Sequence, residues 1–156
     1  MTGWRIGYMG APLWLAKACD KLQGQITSGA NTIAQKATIA AVNEGINLTH
    51  EMKAAFLRRR DLVLSKLKEV PGLKTNVPDG AFYIFPDVSH YLGKKYKDKV
   101  LKSGDDLAMY LLDEALVACV GGDSFGSPEC IRLSYATSDD VLVEAISRIK
   151  KALEKL

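Results

Sequence analysis

Histidine, cysteine and one-sided charge are all scarce in this chain, and each scarcity closes off a class of function. The 156 residues hold two histidines and three cysteines. His50 and His90 have no second histidine or cysteine at ligand spacing, so no metal site is expected. Cys19, Cys119 and Cys130 form no Cys-x-x-Cys pair. Their odd count favours free thiols, buried or half-buried, in a reducing compartment over a disulfide framework. Basic residues number 21 and acidic ones 18, a net charge of +3 that singles out neither nucleic acid nor an anionic membrane as partner. No apolar run approaches the roughly 18 residues that a membrane span needs. Arg5 sits among glycines and aromatics, without the basic-then-apolar order of a secretory signal, so a cytoplasmic protein is expected. No Gly-Lys-Ser/Thr follows a glycine loop, and no serine stands in a Gly-x-Ser-x-Gly elbow. That removes P-loop phosphate binding and one common serine-hydrolase arrangement.

What is present suits a globular α/β protein: 47% hydrophobic and 25% charged residues, enough apolar surface for a sizeable core. Met1 to Gly10 reads as a short strand. Pro12 then opens a helix that ends near Gly24. A polar connection, Thr27 to Ala30, leads to a second, alanine-rich helix from about Asn31 to Asn43. Thr49 can cap a longer helix with Glu51 in its first turn. Met52, Phe56, Val63, Leu67 and Val70 form its stripe, and Pro71-Gly72 stops it. Strands are predicted at Leu73 to Thr75 and Gly80 to Phe85. His90 to Lys102 is basic and irregular, the best candidate for a mobile surface loop. Ser103 with Asp106 makes a capping-box variant for a helix through Leu116. Two strands follow, Val117 to Val120 and Cys130 to Ala136. A last helix behind Ser138 carries Leu142, Ala145, Ile146, Ile149, Leu153 and Leu156 on one face. Strands alternating with helices after residue 72 predict an α/β unit. One strand and two helices before residue 48 are poor material for an independent domain, because a lone strand cannot satisfy its backbone.

Two arginines stand out chemically. On a strand, Gly3, Arg5 and Gly7 share one face, leaving open space around a guanidinium fork suited to phosphate. An internal carboxylate partner is the other reading. Arg132 alternates with Ile131 and Leu133, mid-strand, with small neighbours Ser134 and Ala136. Burying its charge costs several kcal/mol unless a carboxylate ligand or an internal Asp or Glu pairs with it. The Gly121-Gly-Asp-Ser-Phe-Gly126 loop reads first as a plain connection and alternatively as an anion nest. The Arg58-Arg59-Arg60 run is expected on a solvated helix face, and Lys94 to Lys99 on a solvated loop.

Read together, these signals become specific. Met1-Thr-Gly-Trp-Arg-Ile-Gly-Tyr8 closely resembles the segment after the cofactor-binding lysine in class I aminotransferases, the fold type I pyridoxal 5'-phosphate (PLP) enzymes of the aspartate aminotransferase family. Ile26 to Gln35 is similar to that family's next block, near the dimer interface. Gly80 to Phe85 looks like its small-domain strand, and Cys130-Ile-Arg-Leu-Ser-Tyr-Ala136 like the strand whose arginine binds the substrate α-carboxylate. The resemblance covers essentially the whole chain, in the family's order. It implies that Arg5 grips the PLP phosphate and Arg132 the substrate carboxylate. It further implies residues 1–48 as the end of the large PLP-binding domain, 49–72 as a bridging helix and 73–156 as the small α/β domain.

The implied activity is transfer of an amino group between an amino acid and a 2-oxo acid, aspartate-type by default, in a homodimer. A carbon–sulfur lyase or a decarboxylase would share the scaffold. Two departures qualify this. The family's Pro-Gly-Ser-x-Phe-Gly loop is here Gly121-Gly122-Asp123-Ser124-Phe125-Gly126, which puts Asp123 near where substrate carboxylates approach. The Schiff-base lysine is implied upstream of Met1, and neither Lys17 nor Lys36 occupies its motif position. The 156 residues alone are therefore expected to be inactive, a C-terminal fragment of the enzyme. The alternative is a non-catalytic module that self-associates through apolar surface on residues 1–45.

Overall fold

Local caps set the helices of the first fifty residues. In the computed structural model, which describes residues 1–45 and 47–156, α1 (Leu13–Ile26) opens behind Pro12. The Pro12 carbonyl accepts from the N–H groups of Leu15 and Ala16 at 2.9 and 3.0 Å, closing the first turn. Helix α2 (Thr32–Glu44) is capped by Asn31, whose Oδ1 accepts from Ile33 N–H at 2.9 Å and Ala34 N–H at 3.1 Å. Met1–Met52 forms one compact unit and Lys53–Leu156 another. Among the described residues of the first unit, only Ala34 is a buried apolar side chain. Leu13, Trp14 and Ile33 lie open, each at least 70% exposed, so this unit buries almost no core of its own.

The predicted strand at Met1 to Gly10 is not there. Thr2–Trp4 forms a 3-10 turn, and Arg5 closes it in the left-handed region with φ 52° and ψ 48°. Trp4 N–H donates to Met1 O at 3.0 Å and Arg5 N–H to Thr2 O at 3.3 Å, so local bonds stand in for a ladder. The physical reason is the absence of a neighbour: every described strand belongs to the second unit.

The long helix α3 (His50–Leu67) starts within the first unit and supplies Val63, Leu64 and Leu67 to the second unit's core. That core is completed by Leu107, Tyr110 and Leu111 of α4 (Gly104–Ala115) and by Leu142, Ile146, Ile149 and Leu153 of α5 (Asp139–Leu153). Each such side chain contributes about 1.5–3 kcal/mol by leaving water. The helices pack against a three-stranded antiparallel sheet. Its strands are β1 (Tyr83–Ile84), β4 (Val120–Gly121) and β5 (Ile131–Ser134), ordered β1-β5-β4 with β5 in the middle. Ile84 and Ile131 are 0% and 1% exposed, which fixes the buried face of the sheet.

The strands are shorter than their sequence patterns. Ala81 is left-handed at φ 60°, which delays β1 to Tyr83, and Leu73 to Thr75 keeps only the bridge from Lys74 to Asp87. The basic segment predicted as an irregular loop is a hairpin, β2 (Lys95–Tyr96) with β3 (Lys99–Val100), turned through a left-handed Lys97. Tyr91 and Leu101 are buried on either side of it. Tyr96 packs edge-on to Tyr110 at 4.7 Å and donates its hydroxyl to Glu114 at 2.7 Å. The lysines do face water; the aromatics between them hold the segment down. Ser103 caps α4 without a side-chain bond, and the predicted box does not form: Asp106 Oδ2 accepts instead from the N–H of Lys102, one residue before the cap, at 2.8 Å. No described helix is long and apolar enough to cross a membrane.

Of the three arginines of α3, Arg58 is solvated as expected, while Arg59 and Arg60 are half-buried, and all three are paired. Arg58 and Arg59 both donate to Asp139 in the first turn of α5, at 3.1 to 3.3 Å. Arg60 pairs with Asp61 at 2.8 Å and donates to Pro78 O at 3.2 Å. The hydrogen bond from Arg58 holds the Asp139 carboxyl below its ordinary pKa. A depressed folded-state pKa adds stability that is present above the unfolded value and is lost as pH falls through the folded one. Thermal melts below about pH 4, the ordinary Asp range, should therefore show a smaller acid-induced loss in Asp139→Asn than in the parent. Equal slopes in the two proteins would show that the clamp carries no linkage.

Candidate functional site

Register decides what surrounds Arg132. Val120 pairs with Arg132, and Tyr83 with Ser134, so these four side chains share the sheet face opposite Ile84 and Ile131. The Arg132 guanidinium carbon lies 4.4 Å from the Tyr83 ring centroid and 4.6 Å from that of Phe125. Phe125 comes from the 3-10 turn Asp123–Phe125 in the glycine loop and is braced edge-on by Phe85 at 5.8 Å. Along its own strand Arg132 has small neighbours, as the alternation predicts. Across strands it has aromatic ones, because cross-strand pairing, not sequence adjacency, sets a sheet residue's surroundings. Among the described residues Arg132 has no carboxylate partner. Of the two readings its spacing left open, the internal carboxylate is not found among the described residues.

The glycine loop is shaped by close packing against the start of α4. A Cβ on Gly121 would lie 1.7 Å from Asp105 Oδ1, one on Gly122 2.0 Å from Ser127 O, and one on Gly104 1.9 Å from Cys130 O. Asp123 does not stand free at the site: its Oδ2 accepts from Asp105 N–H at 3.2 Å. A carboxylate there also meets the positive end of the α4 dipole. The loop is thus a connection that places Phe125.

Arg5 belongs to the first unit. It is exposed, and its Nη1 donates to Thr2 O at 3.1 Å. With Thr2, Gly3, Trp4, Asn31 and Ala34 it lines one open depression of about 630 Å³. Asn31 brings the Ile26–Gln35 segment beside the Met1–Tyr8 segment, as a binding site assembled from both would require. Among the described residues no carboxylate pairs with Arg5, which leaves its remaining N–H groups for an anion such as phosphate.

Other candidates carry no chemistry. A cavity of about 610 Å³ lies beside Leu133, on the face of β5 away from Arg132, and is lined by Leu116, Val117, Val141, Ala145 and Ile149. Its lining has the hydroxyls of Ser134, Tyr135 and Thr137 but no histidine, lysine or cysteine, and its Arg148 is already paired with Glu144 at 2.8 Å. The three cysteines are free. Burial pushes the Cys119 thiol up to about 11, and burial, with Glu129 and Asp87 nearby, raises Cys130 as well. Both are protonated near neutrality, so neither is a nucleophile. Tyr83 and Phe125 are the residues that reading the sequence alone missed. The signal was the aromatic content of the Gly80–Phe85 and Gly121–Gly126 blocks, visible only once the strands are paired.

Comparison with known proteins gives the family. A family model described as aminotransferase class I and II matches residues 1–149. An aspartate aminotransferase of Pinus pinaster is 44% identical over 157 aligned positions, covering 98% of this chain and 32% of that protein. A bifunctional aspartate aminotransferase and glutamate/aspartate-prephenate aminotransferase of Petunia hybrida is 45% identical, covering 98% of this chain and 33% of its own length. The crystal structure of the aspartate aminotransferase from Rhizobium meliloti superposes with a TM-score of 0.82 at 44% identity, over 100% of this chain and 39% of that one. The chain thus spans about a third to two fifths of the length of the relatives it matches.

Proposed function

From a chain that belongs to the class I and II aminotransferase family, we propose that the whole protein moves an amino group between an amino acid and a 2-oxo acid with PLP as cofactor. The observation that carries the reading is Arg132, a half-buried guanidinium on the central strand with aromatic contacts and no carboxylate of its own. A substrate α-carboxylate completes it through two parallel N–H···O bonds, which fix the position of the neighbouring Cα. Arg5, exposed beside Thr2 and Asn31, holds the cofactor phosphate. When bound, PLP supplies an electron sink for charge developing at the substrate Cα. No lysine of these 156 residues is assigned the covalent or proton-moving role.

Residues 1–48 belong to the end of the large domain, 49–72 to a bridging helix and 73–156 to the small domain. The change of compact unit after Met52 supports the first of these boundaries. The open apolar surface of Leu13, Trp14 and Ile33 supports further packing partners for the first unit, a second subunit among them. Aspartate with 2-oxoglutarate is the favoured substrate pair. The Petunia relative's name adds prephenate as a second acceptor to test.

The intact protein should form oxaloacetate from aspartate when PLP and either 2-oxoglutarate or prephenate are supplied, followed by a coupled reductase. Arg5→Gln should weaken PLP binding about tenfold or more, the effect of losing charge-assisted bonds to a phosphate. An absence of oxaloacetate with both acceptors sinks the transaminase reading. Unchanged PLP affinity in Arg5→Gln removes Arg5 from the site.

A further inference from the structure

We propose that Tyr83 and Phe125 are positioning residues that hold the Arg132 guanidinium in one orientation, presenting its N–H edge to the substrate carboxylate. The inference rests on the reading of Arg132 as the carboxylate-binding residue. An arginine side chain is long and rotatable, and no ionic partner among the described residues steadies this one. Two rings do so instead, at 4.4 and 4.6 Å from its guanidinium carbon. A guanidinium over a ring uses its flat face for the contact and keeps its in-plane N–H groups for a ligand, the geometry that a bidentate carboxylate needs.

The rings are themselves fixed. Tyr83 lies on β1, paired with Ser134, with Phe82 at a centroid distance of 4.5 Å. Phe125 is braced by Phe85. The Tyr83 hydroxyl makes no hydrogen bond among the described residues, so the ring is the functional part. The two aromatics come from separate segments of the chain and meet at Arg132. Neither needs to touch substrate.

The test uses the intact holoenzyme. In Phe125→Leu and Tyr83→Leu, KM for the amino donor and the dissociation constant of the unreactive dicarboxylate succinate should each rise about three- to fivefold, the range expected for losing one cation–ring contact at a partly exposed site. The value of kcat at saturation should stay within about twofold, because an arginine that is only less well held still binds at high substrate. Tyr83→Phe should recover most of the loss. A fall in kcat with unchanged KM and succinate binding would mark a merely structural role and overturn the proposal. So would an equal loss in Tyr83→Phe and Tyr83→Leu. Phe125 is half exposed, so Phe125→Leu carries the test if Tyr83→Leu does not fold. Arg132→Gln separates the two layers. If it leaves KM unchanged, the carboxylate reading fails. If it raises KM while the ring variants do not, only the positioning role fails.

Discussion

Arg132→Gln is expected to lower kcat/KM for aspartate about a thousandfold in the intact enzyme while leaving PLP affinity and the melting temperature close to those of the parent. Two charge-assisted hydrogen bonds to one carboxylate are worth about 1.5–3 kcal/mol each, and their joint loss, about 4 kcal/mol, corresponds to three powers of ten. Stability should barely move, because Arg132 has no carboxylate partner among the described residues and its removal orphans no buried charge. What it gives up is the contact with Tyr83 and Phe125, of order 1 kcal/mol at a half-buried site. Arg132→Lys keeps the charge but loses the fork, so it should recover only part of the activity. Steady-state kinetics on the three proteins, with PLP titrations beside them, decide the matter. A loss below tenfold in Arg132→Gln would remove Arg132 from the substrate site.

The second large effect is on folding. Gly121→Ala should destabilise the second unit by about 3 kcal/mol or more, a fall of about 10 °C in melting temperature for a domain of this size. The added Cβ would lie 1.7 Å from Asp105 Oδ1 and 2.5 Å from both Asp105 N and Cα. A side-chain oxygen can swing aside, but the backbone at the start of α4 cannot, since Asp105 N–H is held by Asp123 and Gly104 N–H donates to Pro128 O at 2.5 Å. Gly104→Ala should behave alike, with Cys130 O only 1.9 Å away. Gly80→Ala is the control: its Cβ would meet nothing within 4 Å, and its melting temperature should stay near the parent's. Calorimetry on the three variants checks this, and a Gly121→Ala protein that melts like Gly80→Ala contradicts the packing described here. The consequence reaches the site, because the same loop carries Phe125 to Arg132.

These contrasts mark how far the chain could be read before its tertiary structure. Helices α1 to α5 were legible, with Ser103 at the start of α4 and Leu142, Ile146, Ile149 and Leu153 as a buried stripe. Helical bonds join residues four apart, so the information that makes a helix lies within one turn of it. Arg132 mid-strand was legible for the same local reason, the two-residue period of a strand. The segment Met1 to Gly10 was not, because its alternation suits a strand but strand pairing needs a neighbour, and none is present in its unit. Arg58 and Arg59 read as solvated because Asp139 is some eighty residues away in sequence and 3.1 to 3.3 Å away in space. The lysine-rich hairpin was hidden by its charge, while Tyr96 against Tyr110 decided its order.

The sequence by itself determined which residues could bind anions, Arg5 and Arg132, and the family in whose order its four motifs stand. Tertiary structure decided what those arginines meet: for Arg5 an open depression shared with Asn31, for Arg132 two aromatic rings and, among the described residues, no acid. The division follows from distance along the chain. Residue type and period are local, whereas the partners of a charge on a sheet are set by register and by loops that close from far away.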